Sequence, residues 1–296
     1  MANENKLLRT NSVKIIGTLT NAEVKVGNRK EDGQAYVSAN ATVVSRINNV
    51  DNEYKVTFYA NQMTKDGKVS KLYESYENME ELVGHKVEID GEIRENRYFN
   101  TNTNLMVSTQ QLSGKFIKGV VASTVDTATF LVGGFLAKTL VEKRNKDGEV
   151  YRYDLAIGQS NYSGTGMNVI TLHVNPNDRD IISGIENTYQ LGDTVQFKGD
   201  LVFTVTTVTV EDKNTAFGAP ISKTYTNRQS NFYITSGSNP VTNETAYSKE
   251  VITALNNAYK ANDTVLQSKT TSGAEPKANA TLDAAPVATK RQTSLI

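Results

Sequence analysis

The chain has 296 residues, 38% of them hydrophobic, with 14 tyrosines, two histidines, no cysteine and no tryptophan, and its 32 basic residues balance 32 acidic ones. That length suits two domains of ordinary size; the lack of Cys excludes disulfides and thiol nucleophiles, and two His cannot supply the His/Cys sets of structural zinc. Zero formal net charge removes bulk attraction to a polyanion, so a nucleic-acid reading must rest on where individual Lys and Arg residues are placed.

The first predicted elements form a hairpin. In "VKVGNRKEDGQAYVSANATVV", from Val24, an apolar strand reaches a basic loop, turns at Asp32-Gly33 and leaves as an alternating strand. Alternation sets Ala35, Val37, Ala39, Ala41 and Val43 on an inner face and Tyr36, Ser38, Asn40, Thr42 and Arg46 on an outer one. A third strand, "KVTFYANQ", turns Val56, Phe58 and Ala60 inward and Lys55, Thr57 and Tyr59 outward. Leu72, Tyr76, Met79, Leu82 and Val83 then recur at helical spacing. The fourth strand, in "LVGHKVEIDGEI", holds Gly91 where a bulge or sharp bend is expected. A loop, "IRENRYFNTNTN", leads to the last strand, "NLMVSTQQLSGKFI".

The same order then repeats. "LVEKRNKDGEVYRYDLAIGQS", from Leu140, copies the hairpin at a spacing of about 115 residues, which is the scale of a duplicated small domain. Tyr153, Leu155 and Ile157 take the inner parity and Arg152 the outer; on "VITLHVNP", Ile170, Leu172 and Val174 face in, and Thr171 and His173 face out. Pro176 suits the start of a short helix in "PNDRDIISGIENTYQ". "QLGDTVQFKGDL" answers the fourth strand, a long structureless loop "TVEDKNTAFGAPISKTYTNR" follows, and "NRQSNFYITSG" ends the copy. Beyond it, Tyr247, Val251, Leu255 and Tyr259 lie on one face of a helix with cap candidates Thr242 and Asn243. From Asn262 the composition is too poor in large apolar residues to fold.

Three strands, a helix and two strands, twice over, is the order of a five-stranded Greek-key barrel of the OB type, with the helix plugging the barrel end. A β-sandwich would have no use for a helix at the same place in both copies. The expected fold is all-β with minor α: OB domains over residues 10–118 and 125–237, a C-terminal helix over 238–262 and a disordered tail over 263–296.

Barrels of this type take oligonucleotides or oligosaccharides on the outer face of strands two and three, between the loops joining strands one to two and four to five. In the first copy that face carries Tyr36, Tyr59, Lys55 and Arg46, with Lys25, Arg29 and Lys30 at the hairpin and Arg94, Arg97, Tyr98 and Phe99 in the second loop. The second copy offers Arg152, His173 in the place of Tyr59, Lys143, Arg144 and Lys146 at its hairpin, and Lys213, Phe217, Lys223, Tyr225 and Arg228 in its loop. Tyrosine rings stack on any base, and Lys and Arg track phosphates. The plainer reading makes the tyrosines good strand formers and the charged tips ordinary solvated turns, with Glu31, Asp32 and Asp147 diluting the field. Repetition of a basic tip beside a face with two outward tyrosines favours a polymeric polyanion.

With its Asp-Gly hairpins, aromatic strands and "GDTVQFKGDL", the chain resembles single-stranded DNA-binding proteins, in the style of bacteriophage members with two tandem OB folds, over most of its first 237 residues. The resemblance implies coating of single-stranded DNA in replication, recombination or repair, without catalysis, cofactor or sequence preference. It also implies a cytoplasmic location, that of the host cell for a phage-encoded member. This fits "MANENKLLRTNSVKIIG", which lacks the apolar core of a signal peptide, and the absence of any membrane-length apolar run. Bacterial members end in an acidic tail that recruits replication or recombination proteins; "ATKRQTSLI" is basic and departs from that pattern. No phosphate-binding loop, metal-ligand spacing or nucleophile elbow supports an enzyme, and Glu80 and Glu81 read as surface charge. The competing readings are a structural or carbohydrate-binding β protein and an RNA-binding OB module. Salt separates the sugar reading, because only phosphate contacts release counterions, and a 2′-hydroxyl contact separates the RNA one.

Overall fold

A computed structural model describes residues 7–64, 66–161, 163–212 and 221–271. The first half comprises β1 (Asn11–Asn28), β2 (Ala35–Ile47), β3 (Val50–Asn61), α1 (Lys71–Glu77), a 3-10 turn (Met79–Leu82), β4 (Lys86–Asn100) and β5 (Leu105–Gly119). The second comprises β6 (Thr127–Arg144), β7 (Val150–Ser160), β8 (Met167–Val174), α2 (Arg179–Thr188), β9 (Thr194–Asp212), β10 (Ile221–Gly237) and then α3 (Lys249–Thr271).

In the first half β1 pairs with β2, β2 with β3, β3 in parallel with β5, β5 with β4, and β4 with β1, so the ladder closes. The second half closes in the same order, with β8 and β10 as its parallel pair. Inner parity follows the alternation of the sequence: Val37, Ala39, Ala41, Val43, Val56, Phe58 and Ala60 are buried, as are Leu155, Ile157, Ile170, Leu172 and Val174. Tyr73, Tyr76 and Met79 close one barrel end from α1 and the turn after it, and Ile182 and Ile185 do so from α2. The strand glycines sit where backbones come closest. A Cβ on Gly91 would lie 2.5 Å from the Ser113 carbonyl oxygen, and one on Gly199 2.0 Å from that of Tyr233. Both lie beside register shifts in their ladders.

The two rings are one continuous sheet. Asn11–Ile16 of β1 pairs antiparallel with Val132–Thr127 of β6, joining all ten strands. Buried Tyr54 of β3 donates its hydroxyl to the Leu201 carbonyl at 2.7 Å, and the Phe203 amide donates to Asn52 Oδ1 at 3.2 Å. Lys86 pins the connecting segment: its ammonium donates to the Ala122 and Thr124 carbonyls and pairs with Asp126 at 2.7 Å. Asp126 in turn accepts from the Arg46 amide at 2.7 Å.

Three expectations are corrected. The loop read over 93–104 is mostly ladder, paired from Arg94↔Gln111 to Asn100↔Leu105. Of the loop read over 209–228, the described residues 209–212 and 221–228 are likewise paired, from Asp212↔Ile221 onward. In both, backbone hydrogen bonding and β-favouring side chains override a polar composition that carries no apolar period. The C-terminal helix begins at Lys249 and reaches Thr271, beyond the expected limit of 262. Ser248 caps it, its Oγ accepting from the Val251 amide at 3.3 Å, so Tyr247 lies just before the helix and is buried against Phe135. The far end is held by tertiary contacts rather than by its own apolar pattern.

Candidate nucleic-acid interface

On the outer face of β2 and β3, cross-strand rows are set by register. Lys25, Ser38 and Tyr59 form one row, and Gly27, Tyr36 and Asn61 the next. The absence of a side chain at Gly27 makes room for an aromatic: a Cβ there would sit 3.0–3.2 Å from the outer atoms of the Tyr36 ring. Tyr36 therefore lies across β1 and stacks on Tyr59, ring centroids 5.6 Å apart with planes at 24°. Tyr59 is 52% exposed, and its hydroxyl donates to Asn61 Oδ1 at 3.0 Å. The pair thus presents a fixed aromatic platform to solvent.

Cations surround it. Arg29, in the turn between β1 and β2, is paired with Asp32, whose carboxyl this hydrogen bond holds below its ordinary range. Arg29 also lies close enough to Tyr59 to interact with it. Lys25, Lys30 and Lys55 are exposed, with no ion pair among the described residues. Arg46 lies at the far end of β2, facing Asp51 at 3.8 Å.

The β4–β5 hairpin has two unlike faces. Arg94 and Tyr98 are on its exposed face, Tyr98 with 37% exposure and Arg94 beside Glu92 at 2.6 Å. Glu95, Arg97 and Phe99 alternate with them and are half-buried. Arg97 is turned away from solvent: its guanidinium meets Asp263 of α3 at 2.5 Å and lies 3.7 Å from the centroid of the Tyr259 ring.

The second ring is built differently at the same place. Asp154 pairs across the ladder with His173, and His173 with Tyr233 of β10. His173 was expected outside, yet it is only 4% exposed, because β10 closes against β8 and the Phe232 and Tyr233 rings cover the imidazole. Its Nδ1 is 2.9 Å from Asp154 Oδ1, and Arg152 binds the same carboxylate at 2.7 Å and Asn231 at 3.1 Å. Lys143 approaches Asp154 at 3.8 Å. Burial, together with the nearby Arg152 and Lys143, holds His173 below its ordinary value despite the Asp154 hydrogen bond. For Asp154, burial works against ionisation, but the His173 and Arg152 contacts outweigh it and its carboxyl titrates low. The result is a self-neutralised cluster rather than an open stacking platform.

The other second-ring candidates are scattered. Arg144 is paired with Glu142 and donates to the Gly148 carbonyl at 2.7 Å; Lys146 is exposed in the β6–β7 turn. Tyr225 and Arg228 lie on β10, while Lys213 and Phe217 fall outside the described residues. Gly27 and Asn61 belong to the platform and were missed; the signal was available, since register places both in the Tyr36 row. Tyr151, 51% exposed with Arg152 5.5 Å from its ring centroid, was missed because it has the inner parity, yet the register shift between Lys143 and Arg144 leaves it unpaired in the β6–β7 ladder. Among the described residues no three His, Asp or Glu side chains are grouped to hold a metal, and no helix is long and apolar enough to cross a membrane.

A family described as YorF matches residues 9–272. A comparison with curated proteins finds no match. The wild-type single-stranded DNA binding protein from Thermus aquaticus is similar in structure, with TM-score 0.50 and 14% identity over 82% of this chain and 98% of that one. A small single-stranded DNA-binding protein from Streptomyces coelicolor aligns with TM-score 0.28 and 14% identity over 40% of this chain and 100% of that one. At these identities the first likeness bears on the fold alone and the second carries no weight.

Proposed function

The chain belongs to the YorF family, and we propose that it binds single-stranded DNA without sequence preference, chiefly on the outer face of β2 and β3. The observation that carries this reading is the solvent-facing Tyr36–Tyr59 stack beside Lys25, Lys30 and Lys55. An aromatic pair held flat can stack on any base, and exposed ammonium groups can track the phosphates. The fold shared with the Thermus aquaticus protein is consistent with such a face.

Each half of the chain is an OB domain in this reading, and the second adds backbone contacts through Lys143, Arg144 and Lys146 at its β6–β7 turn, Arg152 being taken up by Asp154 and Asn231. Two linked sites on one polymer raise the effective concentration for the second contact. The protein has no catalytic role and no cofactor; it coats strands exposed in replication, recombination or repair. Recruitment of other replication or recombination proteins by residues beyond α3 is a separate expectation, and those residues lie outside the described part of the chain.

Fluorescence anisotropy with labelled oligo-dT, a duplex of equal length, an RNA strand and a neutral oligosaccharide, at low and moderate salt, tests the proposal. Preferential binding of the DNA single strand that weakens as salt rises is the expected result. Salt-insensitive binding of the sugar, or no binding of any strand at low salt, would overturn it; equal binding of RNA would widen the ligand class.

A further inference from the structure

The β4–β5 hairpin of the first ring extends past its own barrel and lands on the second. Glu95 is the hinge of this contact: its Oε2 accepts from the Val169 amide of β8 at 2.9 Å, and its Oε1 accepts from Ser108 Oγ at 2.7 Å and from the Tyr259 hydroxyl. One carboxylate thus ties β4 to β5, to the second ring and to α3. Two residues on, Arg97 donates to Asp263 Oδ2 at 2.5 Å and to the Tyr259 carbonyl at 3.3 Å, with the Tyr259 ring beneath its guanidinium. Burial and the Glu95 carboxylate both hold the Tyr259 phenol protonated, so it remains a donor.

The root of α3 is anchored elsewhere, on the second ring. Leu255 and Tyr247 pack with Phe135, and Val251, Ile252 and Met167 lie around them. The Tyr247 hydroxyl accepts from the Ser160 amide at 3.1 Å, and its amide donates to Thr194 Oγ1 at 2.7 Å. The helix therefore spans from a hydrophobic seat on one ring to a polar grip on the back of the other ring's hairpin. The hairpin's opposite face, with Arg94 and Tyr98, stays open. Its far side touches β8, a strand of the second ring's outer face.

We propose that Tyr259 and Asp263 are positioning residues: through Glu95 and Arg97 they clasp the β4–β5 hairpin onto β8, making its open face a bridge by which one strand passes from the first ring to the second. The proposal rests on the single-strand reading above. A clasp of this kind affects a ligand long enough to use both rings and leaves a short one on the Tyr36–Tyr59 platform untouched, because only the long ligand draws on the fixed spacing between sites.

The test compares the wild-type chain with Tyr259→Phe/Asp263→Asn, using oligo-dT of about 8 nucleotides, within the footprint of one OB face, and of about 30, enough for two. In parallel, amide hydrogen exchange is measured over 95–108. The variant is expected to lose about fivefold or more in affinity for the long strand, to bind the short one as the wild type does, and to exchange faster in the hairpin. Equal losses on both lengths, or an unchanged ratio between them, would overturn the proposal while leaving single-strand binding in place. Failure of the wild type to bind either oligonucleotide would instead remove the single-strand reading and the proposal with it. If the double variant does not fold, as judged by circular dichroism, Tyr259→Phe alone deletes a single oxygen and is put through the same comparison.

Discussion

Tyr36 occupies its place because Gly27 has no side chain, and this makes the platform sensitive to a residue that never touches a ligand. Gly27→Val is expected to lift the Tyr36 ring off β1 and cost about 1 kcal/mol of binding, roughly fivefold, with little change in melting temperature. Titration of oligo-dT beside a thermal melt checks both halves of that statement. Tyr54 supplies the contrast: its hydroxyl is buried and bonded across the rings. Tyr54→Phe leaves the Leu201 carbonyl without this donor and should lower unfolding free energy by about 1–3 kcal/mol in urea titration, without touching the outer face. The outward direction of Tyr36, Lys55 and Tyr59 was readable from alternation alone, because inner and outer residues differ in polarity at each step from Ala35 to Val43 and from Lys55 to Ala60. The cross-ring role of Tyr54 was not, since a single apolar-facing Tyr gives no hint of which carbonyl its hydroxyl will meet.

Elements carry the difference between the two rings. The ladder over Asp154, His173 and Tyr233 holds its charges internally, and the fold favours neutral His173 and ionised Asp154. Both groups titrate below their ordinary values, so the stability they contribute is complete above pH 6.5, the ordinary value for His, and declines as pH falls towards the lowered value in the fold. Asp154 adds a second loss below its ordinary 3.8. The urea midpoint is expected to fall between pH 7.5 and pH 5.5, and His173→Gln should flatten that fall; an equal slope in the variant would place the effect elsewhere. Sequence alternation put His173 on the outside correctly as parity and wrongly as exposure, because parity on one strand cannot reveal that β10 will cover it. The ladders over 94–100 and over the described residues 209–212 and 221–228 were illegible for a related reason: pairing in which most partners are polar leaves no hydrophobic period to read.

At the scale of the molecule, the β1–β6 ladder, the Tyr54 and Asn52 bonds and α3 join the rings at separate places. Chains with two barrels often unfold in steps; here the shared ladder is expected to give one calorimetric transition, and two resolved transitions would show the seam to be weak. The repeat in the sequence announced two copies of one strand order, and the closed ladders repeat it. What the sequence could not show was the joint, because the residues that form it, such as Glu95 and Asp263, look like ordinary surface charge until the chain folds. The central claim concerns the first ring's outer face, and the most direct test is the affinity of Tyr36→Ala/Tyr59→Ala for oligo-dT at fixed moderate salt, with folding checked by circular dichroism. A folded variant that binds at least about tenfold more weakly is the predicted result. A folded variant that binds as tightly as the wild type would contradict the assignment of that face.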